Sequence, residues 1–264
     1  MLLLKGHLYI PASALNLLSG ADYRFDPDHN TVSIASGSVS TTVRIPDEAL
    51  AEAEGQPQVK IYAALKDQSN YKGYILEVHG QKHTFGWQSP RDLSYPPQLY
   101  YADVNMDGEP EAVVILTLGT GTGIVAQEIH VVKPGTWEEL TVPEAWEAAS
   151  RLVSSAITAD GNDMLIKLGL KGTAPAQVTL RLPDRAEDGN IEGTAGIGTV
   201  TYYSVESGRL TAEVNVTTGF LESVGSLKLI YKPDSSGMAM EPESVTFIAF
   251  PEYPAMIEEA GHVD

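Results

Sequence analysis

Cysteine is absent from this chain, which removes disulfides, thiolate metal sites and cysteine nucleophiles and leaves its compartment open. Basic residues are scarce. Seventeen Lys and Arg face 35 Asp and Glu, giving a formal net charge of -18. Such a surface repels phosphate backbones and anionic lipid headgroups, so it argues against nucleic-acid and membrane-surface binding. Cations and basic partners are the compatible ligands, and the charge alone also serves solubility. No apolar run approaches the roughly 20 residues that a membrane helix needs. No Gly-x-Ser-x-Gly is present either, so a nucleophile elbow is not supported. The opening MLLLKGHLYIP lacks the basic region and small-residue cleavage site of a signal peptide. It enters structure at once, which suggests a trimmed mature region with Met1 as an expression start.

What is plentiful is turn chemistry, with 24 Gly and 16 Pro in 264 residues. That length can bury two cores, or three small ones, and the punctuation suits a β-rich chain. Residues 2–10 alternate around Lys5-Gly6 as a hairpin, and Ser13 to Leu18 forms a short amphipathic helical turn closed by Gly20. Strands follow at 21–25 and 31–34, joined by the turn Asp26 to Asn30.

The stretch LYIPASALNLLSGADYRFDPDHNTVSI resembles the stalk domain of the copper amine oxidase N-terminal type, found on surface proteins of Gram-positive bacteria. The features that carry the likeness are Ile10-Pro11, Leu15 to Leu18, Gly20-Ala21, Phe25-Asp26 and Thr31 to Ile34. It covers about the first 45 residues. The resemblance implies a spacer or adhesion element without copper or oxidase chemistry, so His7 and His29 are expected to be surface residues.

Further on, 46–57 is acidic, Ala-rich and bounded by Pro, which suggests a linker or loose helical turn. Strands are expected at 60–65 and 73–79, with 73–87 a hairpin about Gly80-Gln81. A Pro-punctuated loop over 89–97 then leads to a strand at 98–102. Thr141, with Pro143 and Glu144 behind it, predicts a helix N-terminus. Ala145, Trp146, Ala149, Leu152 and Val153 would share its buried face. Six strands are expected beyond, at 164–170, 177–182, 198–205, 209–216, 226–231 and 244–250, and the acidic tail from 252 is expected to fray.

The densest chemistry lies at Asp103-Val-Asn105-Met-Asp107-Gly108-Glu109-Pro-Glu111. Oxygen side chains at alternate positions, followed by a Gly that permits a sharp turn, are what a short loop needs to wrap a hard cation. Calcium takes six to eight oxygens, and this stretch would supply most of them. Asp103, Asn105 and Asp107 would give side-chain oxygens, Glu109 its carbonyl and Glu111 a carboxylate. The stretch resembles the calcium loops of FG-GAP and VCBS repeats. It departs from the EF-hand, because Val114 stands where that loop places its bidentate Glu. A single copy cannot build a propeller, which leaves one blade-like sheet. The alternative is an Asx-rich β-turn without metal.

Other candidates carry less. Gly119-Thr-Gly121-Thr-Gly123 would cradle phosphate only before a helix, and Ile124 to Val132 reads as a strand. His79 and His83 flank a hairpin turn instead of sharing a helix face, and His130 reads as a packed strand residue. Ser69-x-x-Lys72 lacks the companion elements of penicillin-recognising serine enzymes. Tyr95, Tyr100, Tyr101, Tyr202 and Tyr203 could form a sugar platform, or serve as cross-strand pairs.

The expected fold is mainly β: a stalk-like module over 1–45, a central antiparallel sheet carrying the calcium loop over 58–140, one helix with a C-terminal β-domain over 141–252, and a tail over 253–264. Residues 60–250 resemble envelope or lipoprotein-type chains of spore-forming bacteria, which implies an extracytoplasmic, cell-surface or secreted setting. The expected function is a non-enzymatic calcium-binding scaffold, with an unknown protein or cell-wall glycan as partner. A cell-wall glycan or peptide hydrolase and a carbohydrate-binding module are the alternatives, with Trp87, Trp137 and a buried Trp146 as fluorescence reporters.

Overall fold

The computed structural model describes residues 2–4, 7–9, 22–26, 31–36, 39–44, 48–66, 68–92, 94–172, 177–186, 193–219, 222–253 and 257–258, with backbone alone up to residue 44 and at 257–258. The described chain is mainly β, with one described α-helix. By packing, it falls into two compact units. One comprises Met1–Tyr101, Ala112–Leu118 and Pro134–Trp137, and the other Ala102–Glu111, Gly119–Lys133 and Glu138–Asp264.

In the first unit β1 (Leu2–Leu4) and β2 (His7–Tyr9) pair antiparallel, with Leu4 opposite His7. The hairpin expected over 2–10 is therefore present in its strands. β3 (Asp22–Asp26) and β4 (Thr31–Ser36) pair as expected, and β5 (Val39–Arg44) adds a third strand that the sequence reading omitted. The helical turn at 13–18 and the turn at 27–30 lie outside the described residues.

A four-stranded antiparallel sheet follows in chain order: β6 (Ala51–Ala53), β7 (Gln56–Lys66), β8 (Asn70–Val78) and β9 (Gln81–Pro90). Within the stretch 46–57 expected as a linker or loose helical turn, residues 51–53 and 56–57 are paired strand, and 46–47 lie outside the described residues. Alternation in Ala-Glu-Ala turns Ala53 inward, and Gly55, at φ 70°, makes the reversal. Val59, Ile61, Tyr74, Ile75 and Leu76 are fully buried, and the Tyr74 hydroxyl lies 2.6 Å from Ser89 Oγ. β10 (Gln98–Ala102) and β11 (Glu111–Gly121) are neighbours. Ala112 to Leu116 are all buried, as a strand covered on both faces requires.

In the second unit β12 (Ile124–Lys133) carries β13 (Glu138–Leu140), a short strand that the sequence reading missed. The helix α1 (Ala145–Leu152) follows. Next come β14 (Val153–Asp160), β15 (Asp163–Leu170), β16 (Gln177–Leu182), β17 (Gly196–Glu206), β18 (Arg209–Gly219), β19 (Glu222–Pro233), β20 (Met240–Ala249) and β21 (Ile257–Glu258). β14, β15, β16 and β21 form one antiparallel sheet, so part of the tail expected to fray pairs with β16. β12, β17, β18, β19 and β20 run in that order in another. Its β12–β17 contact is parallel. Parallel neighbours need a long crossover, and β13 to β16 supply it. Leu210, Val214, Val216, Leu227, Leu229, Tyr231 and Val245 fill the core of this sheet.

The helix departs from expectation at both ends. Thr141 does not cap it: its backbone bridges to the segment Met238 to Met240, accepting from Met240 N at 2.7 Å. Glu144 holds the N-cap position without a side-chain cap, and the Tyr203 hydroxyl instead accepts the Ala145 N–H at 3.0 Å. Val153 already belongs to β14. Ala145, Ala148 and Ala149 form the buried face, whereas Trp146 is 47% exposed. Small residues let the helix lie close, and the larger Trp146 turns outward over Gly198.

Candidate metal centre

The residues Asp103 to Glu111 form one loop, and three of its oxygen side chains are brought together. The Asp107 N–H donates to Asp103 Oδ1 at 3.1 Å and to Asn105 Oδ1 at 2.9 Å. Asp103 Oδ2 accepts from the Gly108 N–H at 3.0 Å, and Asp107 Oδ1 accepts from the Glu109 N–H at 2.9 Å. Asn105 Nδ2 donates to Asp107 Oδ2 at 2.9 Å. Alternate spacing makes this possible, because short Asx side chains reach the backbone N–H two positions on. Gly108 at φ 94° makes the sharp turn, and Met106 also takes a positive φ of 58°. A non-glycine residue in that region is uncommon and is held there by its surroundings.

Glu111 stands apart from this cluster. It is 1% exposed, and its Oε2 accepts the N–H groups of Val104 at 3.1 Å and Asn105 at 3.3 Å. Burial, with the charges of Asp107 and Asp103 added, pushes its carboxyl up to about 7 despite those two bonds. Glu109 lies exposed at the outer end of the loop, tied in through its backbone.

The residue that sequence reasoning missed is Lys133. Its ammonium donates to Asp107 Oδ2 at 2.8 Å from 26 positions away. That bond, reinforced by those from Glu109 N–H and Asn105, holds the Asp107 carboxyl down to about 2. Lys133 is itself raised by the same contact. The signal available in the sequence was the Thr122-Gly123 turn, whose hairpin arms begin at Glu111 and end at Lys133. Among the described residues, no group of three or more His, Cys, Asp or Glu side chains is arranged to hold a metal. The oxygens gathered here come from two aspartates and an amide, and the backbone contributes N–H donors to them.

The other candidates separate from this loop. Gly119 and Gly121 belong to the end of β11, and Thr122-Gly123 make the turn into β12. His79 Nδ1 lies 2.7 Å from Gln58 Oε1 and its ring meets Tyr101 edge-on, whereas His83 stacks on Trp137 with centroids 5.3 Å apart. Burial lowers the His83 imidazole below its ordinary value. His130 is 6% exposed, with Nδ1 3.0 Å from Glu139. Ser69 and Lys72 lie at the start of a strand, not on a helix. Of the five tyrosines, Tyr203 is buried beneath the helix and leaves any platform, while Tyr95 and Tyr202 are exposed.

No protein family, no curated protein and no solved structure matches the chain.

Proposed function

We propose that the loop Asp103 to Glu111 binds calcium and that the protein is a non-enzymatic scaffold or binding module of the bacterial cell envelope. The observation that carries the reading is Lys133. Its ammonium already rests on Asp107 Oδ2 as a resident monovalent cation, on a loop where the side chains of Asp103, Asn105 and Asp107 converge. A loop that collects two aspartates and an amide oxygen, with two further glutamates beside it, offers the hard-oxygen environment that calcium favours. Asp103, Asn105 and Asp107 would hold the ion through side-chain oxygens, Glu109 through its carbonyl and Glu111 through its carboxylate. Calcium would supply fixed positive charge and rigidity to the loop, with Lys133 released from Asp107. A site of modest affinity suits an extracytoplasmic setting, where calcium is millimolar, and the stalk-like resemblance of residues 1–45 points to the same place.

The test is thermal unfolding of the whole chain in chelator and in a calcium titration, with Asp107→Asn beside it. Asparagine is chosen because it keeps an acceptor for the Glu109 N–H while removing the charge. A calcium-dependent rise in midpoint that is lost in Asp107→Asn is the expected result. Equal midpoints in chelator and calcium would reduce the loop to a metal-free Asx turn held by Lys133.

A further inference from the structure

The chain is strongly acidic, and most basic side chains whose contacts are described are matched to a carboxylate. Lys60 bonds Glu52, Lys133 bonds Asp107, Arg181 bonds Asp160 and Asp163, and Arg185 bonds Glu222. Arg209 pairs with Glu243, Lys228 with Glu206 and Lys232 with Glu241. Lys66 and Arg91 differ: among the described residues, no carboxylate pairs with either. Both line the same cavity, of about 310 Å³, in the first unit.

The register of the sheet explains why they meet. Lys66 ends β7 opposite Tyr71, and Tyr71 lies opposite Ser89 on β9. Arg91 follows β9 directly, and its backbone N–H is fixed on Ser69 O at 2.8 Å. Two cationic side chains from strands on either side of β8 are thus delivered to one end of the sheet. The cavity they line also contains Tyr71, Ala63 and Pro97, all buried, while Lys66 and Arg91 themselves are exposed. Glu48 and Asp92 complete its polar lining.

We infer that this cavity is a binding site for a small carboxylate, with Lys66 and Arg91 receiving the anion and the Tyr71–Ala63–Pro97 surface receiving a short apolar body. A guanidinium offers a planar fork that matches both oxygens of a carboxylate, and an ammonium adds a point charge beside it. Against a background of -18, an anion site requires cations that are not already ion-paired within the chain, and among the described residues Lys66 and Arg91 form no such pair. Glu48 and Asp92 disfavour a dianion such as phosphate and offer contacts to a cationic group on the same ligand. The ligand class is therefore a monocarboxylate of amino-acid size, as at the carboxy-terminal residue of a peptide. The cavity is at the small end of the range for such sites.

The experiment is an NMR titration of the full chain with N-acetylalanine, its uncharged amide, and inorganic phosphate, at constant ionic strength. N-acetylalanine should shift resonances around Tyr71 and Arg91 saturably, and the amide should not. Arg91→Gln and Lys66→Gln should each weaken binding by at least roughly fivefold, the equivalent of about 1 kcal/mol. Arg91→Lys should lose less than Arg91→Gln. Both positions are exposed, so the folded spectra of these variants should otherwise persist. Absence of saturable shifts, equal response to acid and amide, or unchanged affinity in Arg91→Gln would overturn the assignment. Tighter binding of phosphate than of the carboxylate would also overturn it, in favour of a phosphate site.

Discussion

The ammonium of Lys133 lies 2.8 Å from Oδ2 of Asp107 and ties the middle of the loop to the end of β12. Both side chains are partly exposed, so the pair itself contributes at most about 1 kcal/mol. On the proposed calcium reading, its larger effect falls on the competing ion. Replacing Lys133 by Met should lower the unfolding midpoint slightly in chelator and strengthen calcium binding severalfold, because the ion no longer displaces an ammonium. Calorimetric titration of both proteins checks this. Weaker calcium binding in Lys133→Met would mean that the lysine assists the loop instead of competing with the ion.

Tyr203 supplies the cap that α1 lacks in its own sequence. Removing the hydroxyl in Tyr203→Phe leaves the buried Ala145 N–H without its acceptor and should cost about 1–3 kcal/mol. Denaturant unfolding measures the loss. A cost near zero would show that the helix start finds another partner.

Gly198 sits at φ 96° directly beneath Trp146, where an added Cβ would collide with the Trp146 Cβ. Gly198→Ala should therefore destabilise by about 1–3 kcal/mol through strain and overpacking together. Gly135, whose Cβ position is open, is the control. Gly135→Ala should change the unfolding midpoint little. Equal effects at the two positions would contradict the packing of Trp146.

His130 predicts a pH dependence. Burial opposes its charged form, but the bonds and charges of Glu128 and Glu139 outweigh burial, so its pKa lies above the ordinary histidine value. A group raised on folding contributes stability that is complete below its unfolded pKa of about 6.5 and is lost as pH rises through the folded value. Wild-type denaturant midpoints should thus fall more between pH 6 and pH 9 than those of His130→Gln. Parallel curves would remove His130 as the cause. Comparing slopes isolates the histidine from Glu111, which titrates in both proteins.

Much of this architecture is legible along the chain because its strands are marked by alternation and Gly-containing turns. Thr122-Gly123, Gly161 and Ser207-Gly208 each reverse the chain at the expected place. Legibility fails where the deciding partner is remote. Glu144, with no side-chain cap of its own, precedes the first helical residue because Tyr203 caps from 58 positions away, so the local Thr-x-Pro-Glu pattern misleads. The hairpin of β6 was hidden by acidic, Ala-rich composition that also suits a linker. At the loop, the oxygen spacing is visible in the sequence, but its cation is not, since Lys133 arrives only when the intervening hairpin folds.

The parallel contact of β12 with β17 has a consequence for how the protein is made. Val125 finds its partner Val200 only after β13, α1 and β14 to β16 have been synthesised. At about 5–20 residues per second, that part of the β12 edge stays open for several seconds on the ribosome. An open edge recruits any strand within reach, including the same segment on a neighbouring nascent chain. Slow translation through the crossover would prolong that exposure, so yield should respond to codon choice between β12 and β17 more than to changes after β18.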